Sequence, residues 1–192
     1  MPGAIAPATV FFDLGDTLLF NDAGVRRRHA DTLDTLQRLK ARGYRLGLIS
    51  NQLAGTTQAE VLSILDPLHL SRYIEPQLIT LSSEVPGNLG KPAQAIFDLA
   101  LSKAQHAAAS ERAIFVTETP AHILAARSFG WRAILKRNGS ACLPGDGECV
   151  GSLAELLERL PPVADLAGTT LDPVQRENGK IVGGAALRVN LR

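Results

Sequence analysis

Asp13 ends the apolar run Val10-Phe11-Phe12 and opens the turn Leu14-Gly15-Asp16-Thr17. A carboxylate placed where a buried strand gives way to a turn can serve as a nucleophile, as a metal ligand, or as both. Three more polar residues sit in the same way, in order along the chain. Ser50 ends Leu46-Gly47-Leu48-Ile49, Lys91 precedes Pro92 and the apolar stretch Ala95 to Leu101, and Glu118 follows Ala113-Ile114-Phe115-Val116-Thr117. Singly, the serine reads as a helix cap, the lysine as a solvated charge and the glutamate as a surface acid. Their joint recurrence at strand ends points to one site that combines a nucleophile, a hydroxyl, a cation and a second acid.

The elements that must position them alternate. Apolar runs predict strands at 9–13, 45–49, 77–81, 113–117 and 132–136. Helical periodicity predicts helices near 25–42, 56–65, 92–104, 120–129 and 152–160. Leu33, Leu36 and Leu39 give the first helix an apolar stripe, and Gly43 suits its C-terminal end. Pro92 suits the first turn of the third. Ser152 with Glu155 makes a capping-box start for the last, and Pro161-Pro162 ends it. Such alternation implies an α/β fold, a Rossmann-like three-layer α/β/α sandwich around a mainly parallel sheet, with the site along the strands' C-terminal edge. Residues 1–162 form the expected core and 163–192 a tail of different character.

The order aspartate, serine, lysine, acid resembles the haloacid dehalogenase superfamily of phosphohydrolases, from about Thr9 to Leu135. Its most specific piece is Gly90-Lys91-Pro92 with Ile96-Phe97 and Ala100-Leu101. The resemblance implies that Asp13 attacks phosphorus and that Ser50 and Lys91 hold the phosphoryl oxygens, with Thr17 and Asn51 beside them. It also implies that Asp13, a backbone carbonyl near Gly15 and Glu118 bind Mg2+. Active phosphatases of the family usually carry a general acid and base two residues after the nucleophile. That position is Gly15, and Asp16 stands one place later as the candidate replacement. The expected Gly-Asp pair reads Thr117-Glu118, and the acid expected at the start of the next helix reads His122, a poor partner for so hard a cation.

The segments between these motifs have room for core elements but not for a cap domain, so the resemblance implies an open site. Asn51-Gln52 followed by Ala54-Gly55 is similar to capless relatives that act on sugar phosphates or nucleic-acid ends. The expected activity is a Mg2+-dependent phosphatase working through an aspartyl-phosphate, of low or specialised turnover. The alternative is a degenerate member that binds a phosphorylated small molecule or macromolecule without hydrolysing it. Dehalogenation ranks third, because dehalogenases of the superfamily usually carry a cap.

A net charge of +1 gives no electrostatic case for nucleic acid or an anionic membrane. Arg26-Arg27-Arg28 is expected at a solvated helix start. No apolar stretch reaches membrane-spanning length, and Met1-Pro2-Gly3-Ala4 lacks the basic start of a secretion signal, so a cytoplasmic location is expected. In that reducing compartment Cys142 and Cys149 are expected as free thiols. In the tail, Asn178-Gly179 signals a hairpin, and Ile181-Val182 and Leu187 to Val189 suit short strands. Docking on the core, self-association into a homo-oligomer, or continuation into a larger protein are the roles open to it.

Overall fold

Thr9–Phe12 (β1) is buried at every residue, which a strand achieves only with neighbours on both edges and layers on both faces. The computed structural model, which describes residues 8–106, 112–163, 176–177 and 180–181, places β1 inside a six-stranded sheet. The other strands of that sheet are Arg45–Ser50 (β4), Ile79–Leu81 (β5), Ala113–Thr117 (β6), Arg132–Lys136 (β7) and Cys149–Val150 (β8). Their spatial order is β5-β4-β1-β6-β7-β8, and every pairing is parallel. Phe12 lies level with Leu48 on one side and Val116 on the other, so the C-terminal ends of β1, β4 and β6 share one edge of the sheet. The chain leaves β1 towards β4 on one side and returns to β6 on the other. The crevice at such a reversal is where open α/β sheets take their ligands.

The strand period of two sorts the core into two halves. Val10, Phe12, Leu46, Leu48, Ile114 and Val116 face Thr32–Ala41 (α1), Gln58–Leu65 (α2) and the short Leu156–Arg159 (α5). Phe11, Ile49, Phe115 and Ala133 face Gln94–Ala104 (α3) and Pro120–Ser128 (α4). That is the expected three-layer arrangement. On the second face Phe97 meets the rings of Phe115 and Trp131 at 5.4 and 5.5 Å between centroids. Gly47 is required in β4, since a Cβ there would stand 2.7 Å from the Leu78 carbonyl and 2.8 Å from the Phe11 ring.

Several expectations are corrected. Residues 25–28 are not helical. Leu19–Asp22 (β2) and Val25–Arg28 (β3) form an antiparallel hairpin, and α1 begins only at Thr32. The hairpin turn has Ala23 at φ 49° and Gly24 at φ 85°, the two positive values of a type I′ turn, with the Gly24 N–H donating to Asn21 Oδ1 at 2.7 Å. Pro92 is not in the first turn of α3: it follows a cis Lys91–Pro92 bond, and Gln94 opens the helix. The last helix shrinks to 156–159, because Glu155 bonds back to the Gly151 N–H and the Ser152 hydroxyl rather than continuing a helical turn. Cys142 and Cys149 are joined in a disulfide rather than free; the loop from β7 to β8 folds back and brings their Cα atoms to 5.9 Å, within bonding reach.

Among the described residues, the segment between β1 and β4 holds only the hairpin and α1. That between β4 and β6 holds α2, β5, α3 and short helical turns, and neither carries a cap domain. No described helix is long and apolar enough to cross a membrane. In the tail Arg176–Glu177 (β9) pairs antiparallel with Lys180–Ile181 (β10). Asn178-Gly179, Val182 and Leu187 to Val189 lie outside the described residues.

Candidate active site

The polar residues at the ends of β1, β4 and β6 meet at one end of the sheet. Asp13, one residue beyond β1, is buried, and its two oxygens have separate surroundings. Oδ1 accepts from the Leu14 N–H at 2.8 Å and faces Lys91 Nζ at 2.6 Å. Oδ2 accepts from the Thr117 hydroxyl at 3.1 Å and lies 3.5 Å from His122 Nδ1. Burial by itself would raise the Asp13 carboxyl, but His122, Lys91 and the Leu14 N–H together hold it below its ordinary value of 3.8. The carboxylate therefore stays ionised.

Lys91 is buried, and burial pulls its ammonium down, against the opposing charges of Asp13 and Glu118. Its Nζ also donates to the Ile49 carbonyl at 2.5 Å and rests 5.5 Å from the centre of the Phe115 ring. Asn51 fixes the lysine's backbone: its Oδ1 accepts from the Lys91 N–H at 2.7 Å and its Nδ2 donates to the Lys91 carbonyl at 2.9 Å. That clamp requires Gly90, where a Cβ would come within 2.4 Å of Asn51 Oδ1. Ser50 is buried at the end of β4, and its hydroxyl accepts from Gln52 Nε2 at 2.8 Å.

Glu118 is ringed by hydroxyls. Thr17 Oγ1 donates to its Oε2 at 2.5 Å and Thr119 Oγ1 to its Oε1 at 2.6 Å, while Thr117 Oγ1 stands 3.3 Å from Oε2. Thr17 is thus buried against Glu118 and does not line the cavity above. That cavity, about 470 Å³, is lined by Asp13, Gly15, Asp16, Ser50, Asn51, Lys91, Glu118 and His122 among others. Asp16 is exposed on its wall at φ 51°, its carbonyl held by His29 Nε2 and Lys136 Nζ, each at 3.2 Å.

A sequence model of haloacid dehalogenase-like hydrolases matches residues 28–130. The chain belongs to this family of hydrolases. Within it, Asp13 lies ahead of the matched stretch, while Ser50, Lys91 and Glu118 fall inside it. No curated protein matches the chain. An uncharacterized protein from Listeria monocytogenes serotype 4b shares the fold at TM-score 0.65 and 23% identity, over 83% of this chain and 97% of that one. A haloacid dehalogenase-superfamily hydrolase from Geobacter sulfurreducens matches at TM-score 0.62 and 14% identity, over 81% and 100%. A phosphatase of the superfamily from Thermococcus onnurineus matches at 0.57 and 22% over 71% of this chain, which spans 60% of that protein.

Members of the haloacid dehalogenase superfamily generally use Mg2+. Asp13 and Glu118 offer carboxylate oxygens of the kind such a hard cation takes. Asp13 and Glu118 converge on one hydroxyl, Thr117 Oγ1, at 3.1 and 3.3 Å, and the Gly15 carbonyl lies on the same turn. His122 stands beside these oxygens, and its buried Nδ1 has no hydrogen-bond partner among the described residues.

Sequence reasoning missed four contributors. Thr119 steadies Glu118, Gln52 holds the Ser50 hydroxyl, Lys136 pins the Asp16 turn, and Arg26 lines the cavity from the hairpin. Thr119 and Gln52 each adjoin a recognised strand end, which was the available signal. Lys136 ends a strand that was itself legible. Arg26 gave none, because its segment reads as helix.

Proposed function

We propose that this hydrolase is a phosphatase that works through an aspartyl-phosphate on Asp13. The observation that carries the reading is the buried Asp13 carboxylate, held 2.6 Å from Lys91 Nζ at the base of an open polar cavity. An oxygen of Asp13 bonds to phosphorus as the bond from phosphorus to the leaving oxygen breaks; water then attacks the phosphoryl group and frees the carboxylate and inorganic phosphate. Lys91 and Ser50 bind the phosphoryl oxygens, and Asn51 keeps Lys91 in place through its backbone. Asp16, exposed on the wall, is the available donor to the leaving oxygen. Asp13, the Gly15 carbonyl and Glu118 would hold Mg2+, which when bound supplies neutralisation of the phosphoryl charge. With Gly15 in place of the usual acid, aryl phosphates, whose leaving groups need no proton, are turned over better than alkyl or sugar phosphates.

One observation favours a second reading, a phosphoryl-binding protein without turnover. Both Glu118 oxygens already have hydroxyl partners, and His122 occupies the place of an acid. Hydrolysis of 4-nitrophenyl phosphate in millimolar Mg2+ separates the two. The phosphatase reading expects activity that falls at least a thousandfold in Asp13→Asn. Activity equal in wild type and Asp13→Asn, or saturable phosphate binding with no hydrolysis, would overturn it.

A further inference from the structure

We infer that Arg26 forms a second anion subsite at the rim of the cavity, so that the preferred ligand carries another negative group besides the one held by Lys91. The inference rests on the reading of Asp13 and Lys91 as a phosphoryl site. Arg26 lies on β3 opposite Asn21 of β2, and both line the same cavity as Asp13, Ser50 and Lys91. Its side chain is exposed and, among the described residues, has neither an ion pair nor a hydrogen bond. The nearest acid of the hairpin is already taken: Asp22 pairs with Arg27 at 2.7 Å, on the alternate face of β3. Arg26 also borders a hollow of about 440 Å³ behind the hairpin, lined by Arg27, Arg28, His29 and Leu68. Arg26 thus borders two concavities.

Three acids face the site. Asp13 is committed to Lys91 and Glu118 to threonine hydroxyls, which leaves exposed Asp16 as the competitor for Arg26. A planar guanidinium suits bidentate contact with a phosphate or carboxylate. The cap-free architecture gives the position its importance. With no domain to enclose a small ligand, affinity must come from contacts on the rim, and Arg26 is the cation placed there.

The test uses the full chain at fixed free Mg2+ and measures binding by calorimetry. Methylphosphonate serves as the single anion, against alkane-1,n-bisphosphonates of graded length. At least one bisphosphonate is expected to bind about tenfold or more tighter than methylphosphonate. That advantage should shrink with added salt, vanish in Arg26→Ala, persist in part in Arg26→Lys and persist fully in Arg27→Ala. No advantage at any length, or one that survives Arg26→Ala, overturns the inference. Bisphosphonate selectivity that depends on Arg26 in a protein unable to hydrolyse 4-nitrophenyl phosphate would retain the subsite and remove the phosphatase. Hydrolysis without selectivity would do the reverse.

Discussion

The floor and the rim of one cavity are built on opposite principles. On the floor, Asp13 and Lys91 are buried and each has several fixed partners: a backbone N–H, a carbonyl, a hydroxyl and each other. On the rim, the β2–β3 hairpin carries exposed arginines, one in a solvent-facing ion pair and one with no partner among the described residues. Charges taken out of water must be matched closely, because an unmatched one is costly. Charges left in water cost little and contribute little until a ligand meets them. The floor therefore sets the chemistry and the rim is free to set the choice of ligand.

The sharpest way to break this contrast is Lys91→Met. It leaves the Asp13 carboxylate buried beside an apolar side chain, and removing one member of a buried pair costs about 3–5 kcal/mol. Denaturant unfolding at neutral pH should show a loss of that size, with the proposed phosphatase activity gone. Asp13→Asn in the same chain should return much of the stability, because the orphaned charge is removed. The pH sign follows from Asp13. Its folded value lies below 3.8, so its contribution is complete above 3.8 and is lost as pH falls through the lower folded value. Acid unfolding of Asp13→Asn should lack that part of the slope. A Lys91→Met protein as stable as wild type would show that the floor is not matched in this way.

Gly15→Asp tests whether the floor lacks only its acid. A Cβ at Gly15 meets nothing within 4 Å, and its φ is not in the left-handed region, so the side chain enters without strain. Hydrolysis of an alkyl phosphate should rise, within the roughly 10²–10⁴-fold range of positioned general acids, and an aryl phosphate should gain less. Asp16→Asn is the companion. If it silences the wild type but not Gly15→Asp, Asp16 was supplying the proton. No gain from Gly15→Asp in a folded protein would shift the weight to Glu118 and His122, and to the binding reading.

What the sequence made legible divides along the same line. β6 and β7 lie where the apolar runs 113–117 and 132–136 place them, because strands buried on both faces leave a continuous signature. Asp13, Ser50, Lys91 and Glu118 were found at the ends of such runs or beside them. The hairpin was not. Its strands are four residues each, three of the eight positions are arginine, and Ala23 occupies a positive-φ position where Asn, Asp or Gly would have announced the turn. β8 has two residues, too few for any period. The approach of His122 to Asp13 depends on how the first turn of α4 sits over β1, a tertiary fact with no local trace. The disulfide left no trace in the sequence, because compartment bears on thiols only in general while the fold of the β7–β8 loop decides which cysteines meet.

That loop offers a third test of intermediate size. Cys142–Cys149 closes a loop with a sequence separation of 7, for which chain entropy implies roughly 2–3 kcal/mol. Cys142→Ser, or reductant on the wild type, should lower unfolding stability by about that amount. The loop is also tied by Arg137 to Asp146, and Asp146 accepts from the Leu143 N–H at 2.7 Å. The fold should therefore survive reduction. Loss of less than about 0.5 kcal/mol would mean the bond constrains little that the other contacts do not already hold.

The smallest expected effect belongs to Arg27→Ala, and it separates position from charge on the rim. Arg27 is adjacent to Arg26 on β3 and carries the same charge, but its side chain is 59% exposed and already paired with Asp22, itself 53% exposed. An ion pair so open to water contributes about 0–1 kcal/mol, so unfolding stability should change by less than about 0.5 kcal/mol. Hydrolysis of 4-nitrophenyl phosphate should stay within twofold, since Arg27 does not line the cavity above Asp13. If Arg27→Ala instead weakened turnover as much as a change at Arg26, the hairpin would be acting as a diffuse cationic edge, and activity would fall with ionic strength in parallel for both variants. If only Arg26 matters, the alternation of a single short strand decides which of two neighbouring arginines meets the ligand.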